Sequence, residues 1–370
     1  MEENKTHILF KVLKVFLWIF VSVVILMAAI RFSLKTHLVH DFAKSKIESI
    51  AIESLTTDFS ISGLSGDLWK EVRLTGIYVG DKDTLAYIDT LYSRYDILSL
   101  ISGTFNIEQV DVIQATVNMI ESDQPQDSVT SFTIQEVIKP DTSGTSLSFK
   151  FEIDKINVSK TKVSIYSPSL LPDSTLKVQN ILLVASFSMT DEIEASLSKL
   201  SFNIRGGRLP EAIKVKASGA YTDDTITLED LVVNTGRSFL QANAFVDLKD
   251  SVLNANIDLK PLSSADIQSY LNQKIPSETI TMSVKAKGSL ESIEIELTAN
   301  GKHFKDIEAI AQISLKDEPK ITQFGLKGAG LNIAALTNDS IDVQTGLFQM
   351  TMDGTLTQDY ENADITWGFT

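Results

Sequence analysis

The sequence predicts a mainly β protein: an N-terminal transmembrane helix, then an elongated, mostly antiparallel β-sheet with a few short helices. Three observations predict it. After residue 55 apolar side chains recur at every second position, which is the period of a strand. Turn residues break these runs about every ten residues, the spacing of a meander. The long uncharged apolar run, residues 15–30, stands near the N-terminus.

The pattern is plainest over residues 200–259. Apolar side chains recur at Leu200, Phe202 and Ile204, at Ile213, Val215 and Ala217, at Ala242, Ala244, Phe245, Val246 and Leu248, and at Leu253, Ala255, Ile257 and Leu259. Gly206-Gly207, Thr222-Asp223-Asp224, Gly236 and Asp250-Ser251 supply the turn chemistry between them. One face of such a sheet is apolar; the other carries Ser, Thr, Asn, Asp and Lys.

Residues 8–30 are the membrane-spanning candidate, with Val15, Trp18, Ile19, Val23, Leu26 and Ile30 as anchor residues. About 20 apolar residues cross a hydrocarbon core. The run is longer than the apolar core of a cleaved signal peptide, and Ala28-Ala29-Ile30-Arg31 is a poor cleavage site, so an uncleaved anchor is expected. Residues 32–54 read as a helix with Leu34, Leu38, Phe42 and Ile47 near helical spacing. Two roles fit it: lying on the membrane surface, or capping the first strands.

From residue 55 the strand period takes over, and residues 55–120 form a first β unit. Leu98 to Ile101 is a short helical element before Gly103; Phe105 to Val112, then Val117 and Met119, read as two strands. Residues 121–146, rich in Ser, Thr, Asp and Gln, are the expected loop or linker, with one short helix over Phe132 to Ile138 ended before Pro140. Residues 147–370 continue as a repetitive β region. Phe149, Phe151 and Ile153 share one parity while Ile156 and Val158 have the other, which places a bulge or turn near Asp154-Lys155. Residues 263–271 predict a short helix with Ser264 as N-cap. The pattern stops at Thr370 without an end unit, so the sequence reads as a fragment of a longer protein, or as one completed by another chain.

The net charge of −15 argues against nucleic acid as a partner. The absence of cysteine removes disulfides and thiolate metal sites. Four histidines are scattered; His37, His40 and Asp41 are the densest group and lack a third partner at metal-ligand spacing. Motifs for a serine nucleophile or a phosphate-binding loop are missing. The expectation is a protein that is not an enzyme and uses no cofactor and no metal.

The order of elements resembles the start of TamB-type proteins of the AsmA-like group, the translocation and assembly module family. The resemblance is carried by Gly66-Asp67-Leu68-Trp69, Leu74-Thr75-Gly76-Ile77, Ala86-Tyr87-Ile88-Asp89, the stretch Leu98 to Gly103, and Ile107-Glu108-Gln109-Val110. Residues 153–166, Gly219-Ala220-Tyr221, Leu231-Val232-Val233, Asp247-Leu248 and Val284 to Leu290 resemble that family's repeats. What the resemblance implies is a single-pass inner-membrane protein with its bulk in the periplasm. Its fold would be a sheet curled lengthwise, taco-like, into an apolar groove. Its role would be outer-membrane biogenesis, through phospholipid passage between membranes or assistance of outer-membrane protein assembly. Implied partners are phospholipid acyl chains, the inner membrane, and an outer-membrane barrel assembly protein reached through a missing C-terminal part. Candidate groove residues are Phe149, Phe151, Ile153, Val215, Val246, Leu248, Ile257, Val284 and Ile295. Periodicity alone fits a closed β-sandwich core equally well, and a non-conducting membrane-anchored scaffold or adhesin is the competing class.

Overall fold

The computed structural model describes residues 36–55, 57–80, 85–120, 150–166, 175–190, 192–206, 209, 212–222, 224–268, 278–289, 291–314, 320–330, 332, 346–356 and 363–369. They form one sheet of seventeen strands. A helix α1 (His37–Ser54) precedes β1 (Phe59–Ser65), β2 (Glu71–Val79) and β3 (Ala86–Asp96). A 3-10 turn over Ile97–Ser102 leads into β4 (Thr104–Ile120). The wall continues with β5 (Lys150–Tyr166), β6 (Thr175–Met189), β7 (Ile193–Arg205), β8 (Ile213–Thr222), β9 (Thr225–Asn234), β10 (Phe239–Asp247) and β11 (Val252–Ser263). After a helical turn α2 (Ser264–Gln268) come β12 (Thr279–Ser289), β13 (Ser292–Asn300), β14 (Lys305–Ser314), β15 (Lys320–Ala329), β16 (Leu347–Leu356) and β17 (Ala363–Phe369).

Each strand pairs with the next in the chain. Every pairing is antiparallel except β4 with β5, which is parallel over its whole length. Among the described residues β1 pairs only with β2 and β17 only with β16, so the sheet is open. At about 4.8 Å per strand it extends for about 75 Å.

A line of backbone kinks runs across the first strands. Gly76 on β2, Gln114 on β4, Lys160 on β5 and Asn180 on β6 all have left-handed φ, between 54° and 58°. They sit at neighbouring register positions, each where the pairing skips. A residue of this kind bends the strand and sharpens its twist. At Gly76 a Cβ would crowd the Ser62 side chain. The line continues as register shifts on β7 beside Leu197 and on β9 beside Leu228. From β10 to β14 the strands are shorter and pair without a central shift.

These kinks explain where strand counts read from the sequence go wrong. Parity changes at Gln114, Lys160 and Asn180 look like strand ends, yet β4, β5 and β6 run straight through them for 17, 17 and 15 residues. The expected pair of strands over Phe105 to Met119 is one strand, and among the described residues thirteen strands, β5 to β17, run from residue 150 onward. The parity change at Asp154-Lys155 is a bulge: Ile153 faces Phe187 and Ile156 faces Ala185. Nor does the sheet divide between residues 120 and 150, since β4 and β5 are register partners from Thr104–Lys150 to Ile120–Tyr166.

Helix α1 seals one end. Ile61 and Ile77 are 2% and 4% exposed, and with Leu74 they form a core against which Ile47 of α1 packs. The free edge of β1 meets the same helix: the Ile61 N–H donates to Glu48 Oε1 at 2.8 Å, and Lys44 Nζ donates to the Ser62 carbonyl. Among the described residues the expected apolar stripe on this helix is divided. Ile47 faces the sheet while Phe42, five residues earlier and thus on another side of the helix, is 71% exposed. Of the two roles that fit, capping the first strands is the one observed. The expected membrane span and its residues Val15, Trp18, Ile19, Val23, Leu26 and Ile30 lie outside the described residues, as does the segment 121–149 with Phe149. Among the described residues no helix is long and apolar enough to cross a membrane.

Candidate apolar-ligand face

Direct register partners stand on the same face of a sheet, so the pairings trace which side chains line up. One row starts at Leu64 and passes through Leu74, Leu91, Val112, Val158 and Leu183. It continues through Leu200, Ala217, Leu231, Ala242 and Ile257. It ends through Val284, Leu297, Ala309, Leu326 and Met350, whose register partner on β17 is Trp367. No polar residue interrupts the row from β1 to β16. Leu74 and Ala242 are buried; all the others are half-buried.

Parallel rows flank it. Ile153, Phe187, Ala195, Tyr221, Ile226 and Val246 form one, which runs on through Leu253 to Ile293. Val215, Val233, Leu240, Leu259 and Met282 form another. Ala244, Ala255, Ala286 and Ile295 form a third. The structure thus brings Ile153, Val215, Val246, Ile257, Val284 and Ile295 onto one continuous face. Phe151 joins them through Met189. Leu248 lies just beyond β10, in the turn after Asp247, and is 44% exposed. Phe245, read from sequence as part of the apolar run, points to the opposite face.

Sequence reasoning missed two parts of this face. One is the contribution of β1 to β4, which was read as a separate unit. The other is an aromatic ladder: Tyr95, Phe105, Phe151 and Phe187 stand with ring centroids 6.0 to 6.5 Å apart, across four neighbouring strands. The Tyr95 hydroxyl donates to the Leu68 carbonyl at 2.8 Å. Burial, and then the nearby Asp67 charge, raise its pKa above the ordinary tyrosine value. Phe151 is a groove candidate from sequence; its neighbours Phe105 and Phe187 needed the strand pairing.

The two long rims differ. At the rim holding the β6–β7, β8–β9 and β10–β11 turns, Ile193 and Ile226 on the apolar face are 50% and 44% exposed. At the other rim the loops are joined to each other. Asp266 accepts from the Thr235 and Ser238 hydroxyls; the Ser264 hydroxyl accepts from the Glu278 N–H at 2.9 Å; Glu278 Oε2 accepts from the N–H groups of Lys302 and His303. Ser264 therefore ties α2 to the start of β12, a task different from the N-cap expected of it.

The outer face is polar and paired. Lys287 bridges Glu294 and Glu296 at 2.9 Å each, and Lys327 meets Glu308 at 2.7 Å. Hydrogen bonding with Glu296, then Glu294, raises the Lys287 pKa, and Lys287 lowers that of Glu296. The hydrogen bond from Lys260, then that from Ser283, lowers Asp258. These pairs are solvent-exposed and contribute little each. Among the described residues no group of three or more His, Asp or Glu side chains is placed to hold a metal ion. The geometry supports burial of apolar matter against one wall. Comparison with protein-family models, with curated proteins and with solved structures finds no match.

Proposed function

We propose that this chain is a membrane-anchored, non-enzymatic protein whose sheet, bent along its length into a groove, accepts phospholipid acyl chains on its apolar face. The single observation that carries this reading is the unbroken row from Leu64 to Met350, half-buried along nearly all of its length. A sandwich core would hold such residues fully buried under a second layer. Here most of the row stays partly exposed. An acyl chain gains about 0.8 kcal/mol per buried CH₂ and needs no fixed polar partner, which suits a wall of Val, Ile, Leu, Ala and Phe. The kinks from Gly76 to Asn180 supply the means of bending, since they fall midway along the strands and run along the long axis of the sheet.

The biological setting follows from the resemblance to TamB-type proteins and from the apolar N-terminal segment. In that setting the chain is held at an inner membrane, projects into the periplasm, and serves outer-membrane biogenesis by phospholipid passage or by assisting outer-membrane protein assembly. One observation favours the scaffold reading for part of the molecule: at the β1 end Ile61, Leu74 and Ile77 are buried, with Ile47 of α1 packed against them. The test is native mass spectrometry of the full 370-residue chain, purified in a detergent free of phospholipid. Co-purifying phospholipid at near-stoichiometric level is the expected result. A protein folded by circular dichroism yet free of lipid, and unable to take up phospholipid from added vesicles, would refute the reading and favour the scaffold.

A further inference from the structure

One block of the outer face breaks the pairing of charges seen elsewhere on it. It lies on β5 to β8, in the half of each strand nearer the rim of the β7–β8 loop. Ser164, Lys177 and Arg205 form one row of register partners, Gln179, Asn203 and Lys214 the next, and Ser201 with Lys216 a third. Lys162 stands two residues before Ser164, on the same side of β5. These residues alternate with Val163, Val178, Ile204 and Ile213, a row of the apolar face, so they point away from that face. Lys162, Lys177, Arg205, Lys214 and Lys216 are all exposed. Among the described residues Lys260, Lys287 and Lys327 each bridge a carboxylate, whereas these five cations make no ion pair. Lys177 and Arg205 are direct cross-strand partners, and like charges placed so destabilise a sheet. The acidic residues of the four strands, Glu152, Asp154 and Glu194, stand toward the other rim. They are about 25–35 Å from the cations of their own strand, several times the Debye length of ~8 Å. On β9 the rows run on into Asn234 and Val232, and Asp230 beyond them accepts from Gln241.

We propose that this block is a docking surface for a lipid bilayer bearing anionic headgroups. Repulsion among the unpaired cations is relieved when phosphate-bearing headgroups lie against them. Each Lys or Arg near such a surface tightens binding about fivefold. The cations spread as an array over four strands, about 14 Å across, which suits a layer of many headgroups. A protein partner would need an apolar or aromatic anchor at the centre of its interface; here the residues between the cations are Ser164, Gln179, Ser201 and Asn203. Tyr166 stands at the margin of the block, opposite Thr175, and is 46% exposed. Tyrosine is favoured in the headgroup zone of a bilayer. Docking lays β5 to β8 along the bilayer with the apolar face turned away from it. The inference concerns the outer face and stands whether or not the apolar face carries lipid.

The test uses the full chain held in phosphatidylcholine nanodiscs, so that its apolar N-terminal sequence is not free to insert elsewhere. Co-sedimentation is measured with separate phosphatidylcholine vesicles, with or without about 30% phosphatidylglycerol. The expected result is binding to the anionic vesicles alone, lost at about 0.5 M salt. Lys177→Gln, Arg205→Gln and Lys214→Gln together should weaken it about a hundredfold. Lys260→Gln, Lys287→Gln and Lys327→Gln together change the net charge equally and should weaken it less than about fivefold. Equal binding to both kinds of vesicle, binding to neither, or equal losses in the two triple variants overturns the proposal. So does a wild-type dimer that the first triple variant converts to monomer in analytical ultracentrifugation, since the block would then be a contact between copies. Should that variant fail to fold by circular dichroism, Lys162→Gln with Lys216→Gln replaces it, with a loss of about 25-fold expected and the same outcomes deciding. Phospholipid on the apolar face is measured by native mass spectrometry of the detergent-purified variants, so loss of docking and absence of bound lipid are separate results.

Discussion

Replacing Ile257 by aspartate distinguishes an open apolar wall from a sealed core. Ile257 stands between Ala242 and Val284 in the long row. Full burial of an isoleucine is worth about 1.5–3 kcal/mol; Ile257 is mostly but not fully buried, so about 1–2 kcal/mol is forfeited. Strand preference adds up to about 1 kcal/mol against aspartate. The carboxylate keeps its water on the open side, so the total stays near 2 kcal/mol. Inside a sealed core the same change leaves an unpaired buried charge and costs about 3–5 kcal/mol, added to the packing loss. The assay is urea denaturation followed by circular dichroism, with phospholipid quantified in the same preparation. The expected outcome is a folded variant, destabilised by about 2 kcal/mol, that has lost most of its bound lipid. A variant that fails to fold refutes the open wall, and one that folds and keeps its lipid refutes the cargo.

The sealed end should respond differently. Ile77→Ala removes a side chain from the core beneath α1 and should cost about 2–5 kcal/mol, while Ile295→Ala on the half-buried wall should cost less than about 2 kcal/mol; both are read from urea midpoints. Glu48→Ala deprives the Ile61 N–H of its acceptor and uncovers the β1 edge. It should cost about 1 kcal/mol and introduce concentration-dependent association in analytical ultracentrifugation; a strictly monomeric variant counts against edge protection by α1. Tyr95 has a raised pKa in the folded chain, so the folded state holds its proton longer than the unfolded state. Stability from this group is complete below the unfolded value near 10 and declines as pH rises from there through the folded pKa. Tyr95→Phe should flatten that alkaline decline and cost about 1 kcal/mol at pH 7 through the lost bond to Leu68. Asp266→Ala removes the acceptor shared by Thr235 and Ser238 and should cost about 1–3 kcal/mol, with faster hydrogen exchange confined to the loops of that rim.

Turn and strand positions over residues 200–259 follow from local chemistry, and there reading and structure agree. Thr222 to Asp224, Gly236 and Asp250-Ser251 end strands because their side chains and φ preferences suit turns and little else. The error over Phe105 to Met119 falls at Gln114, where a single left-handed residue changes parity inside a strand. A two-fold pattern cannot distinguish such a kink from a strand end, because both shift apolar residues by one place. Helix α1 misled for a related reason. Its apolar residues fall near helical spacing, but which of them meets the sheet depends on where the helix docks.

By itself the sequence determined that the chain alternates, where most of its turns fall, and that one face of each strand is apolar. These are properties of neighbouring residues, carried by side-chain polarity and backbone preference. Only the tertiary structure decided that sixteen such faces join into one row, that β4 and β5 run parallel and unite the two halves, and that α1 closes one end. Register between strands distant in sequence depends on which edge is free to receive the next strand, and that information exists only once the sheet is assembled.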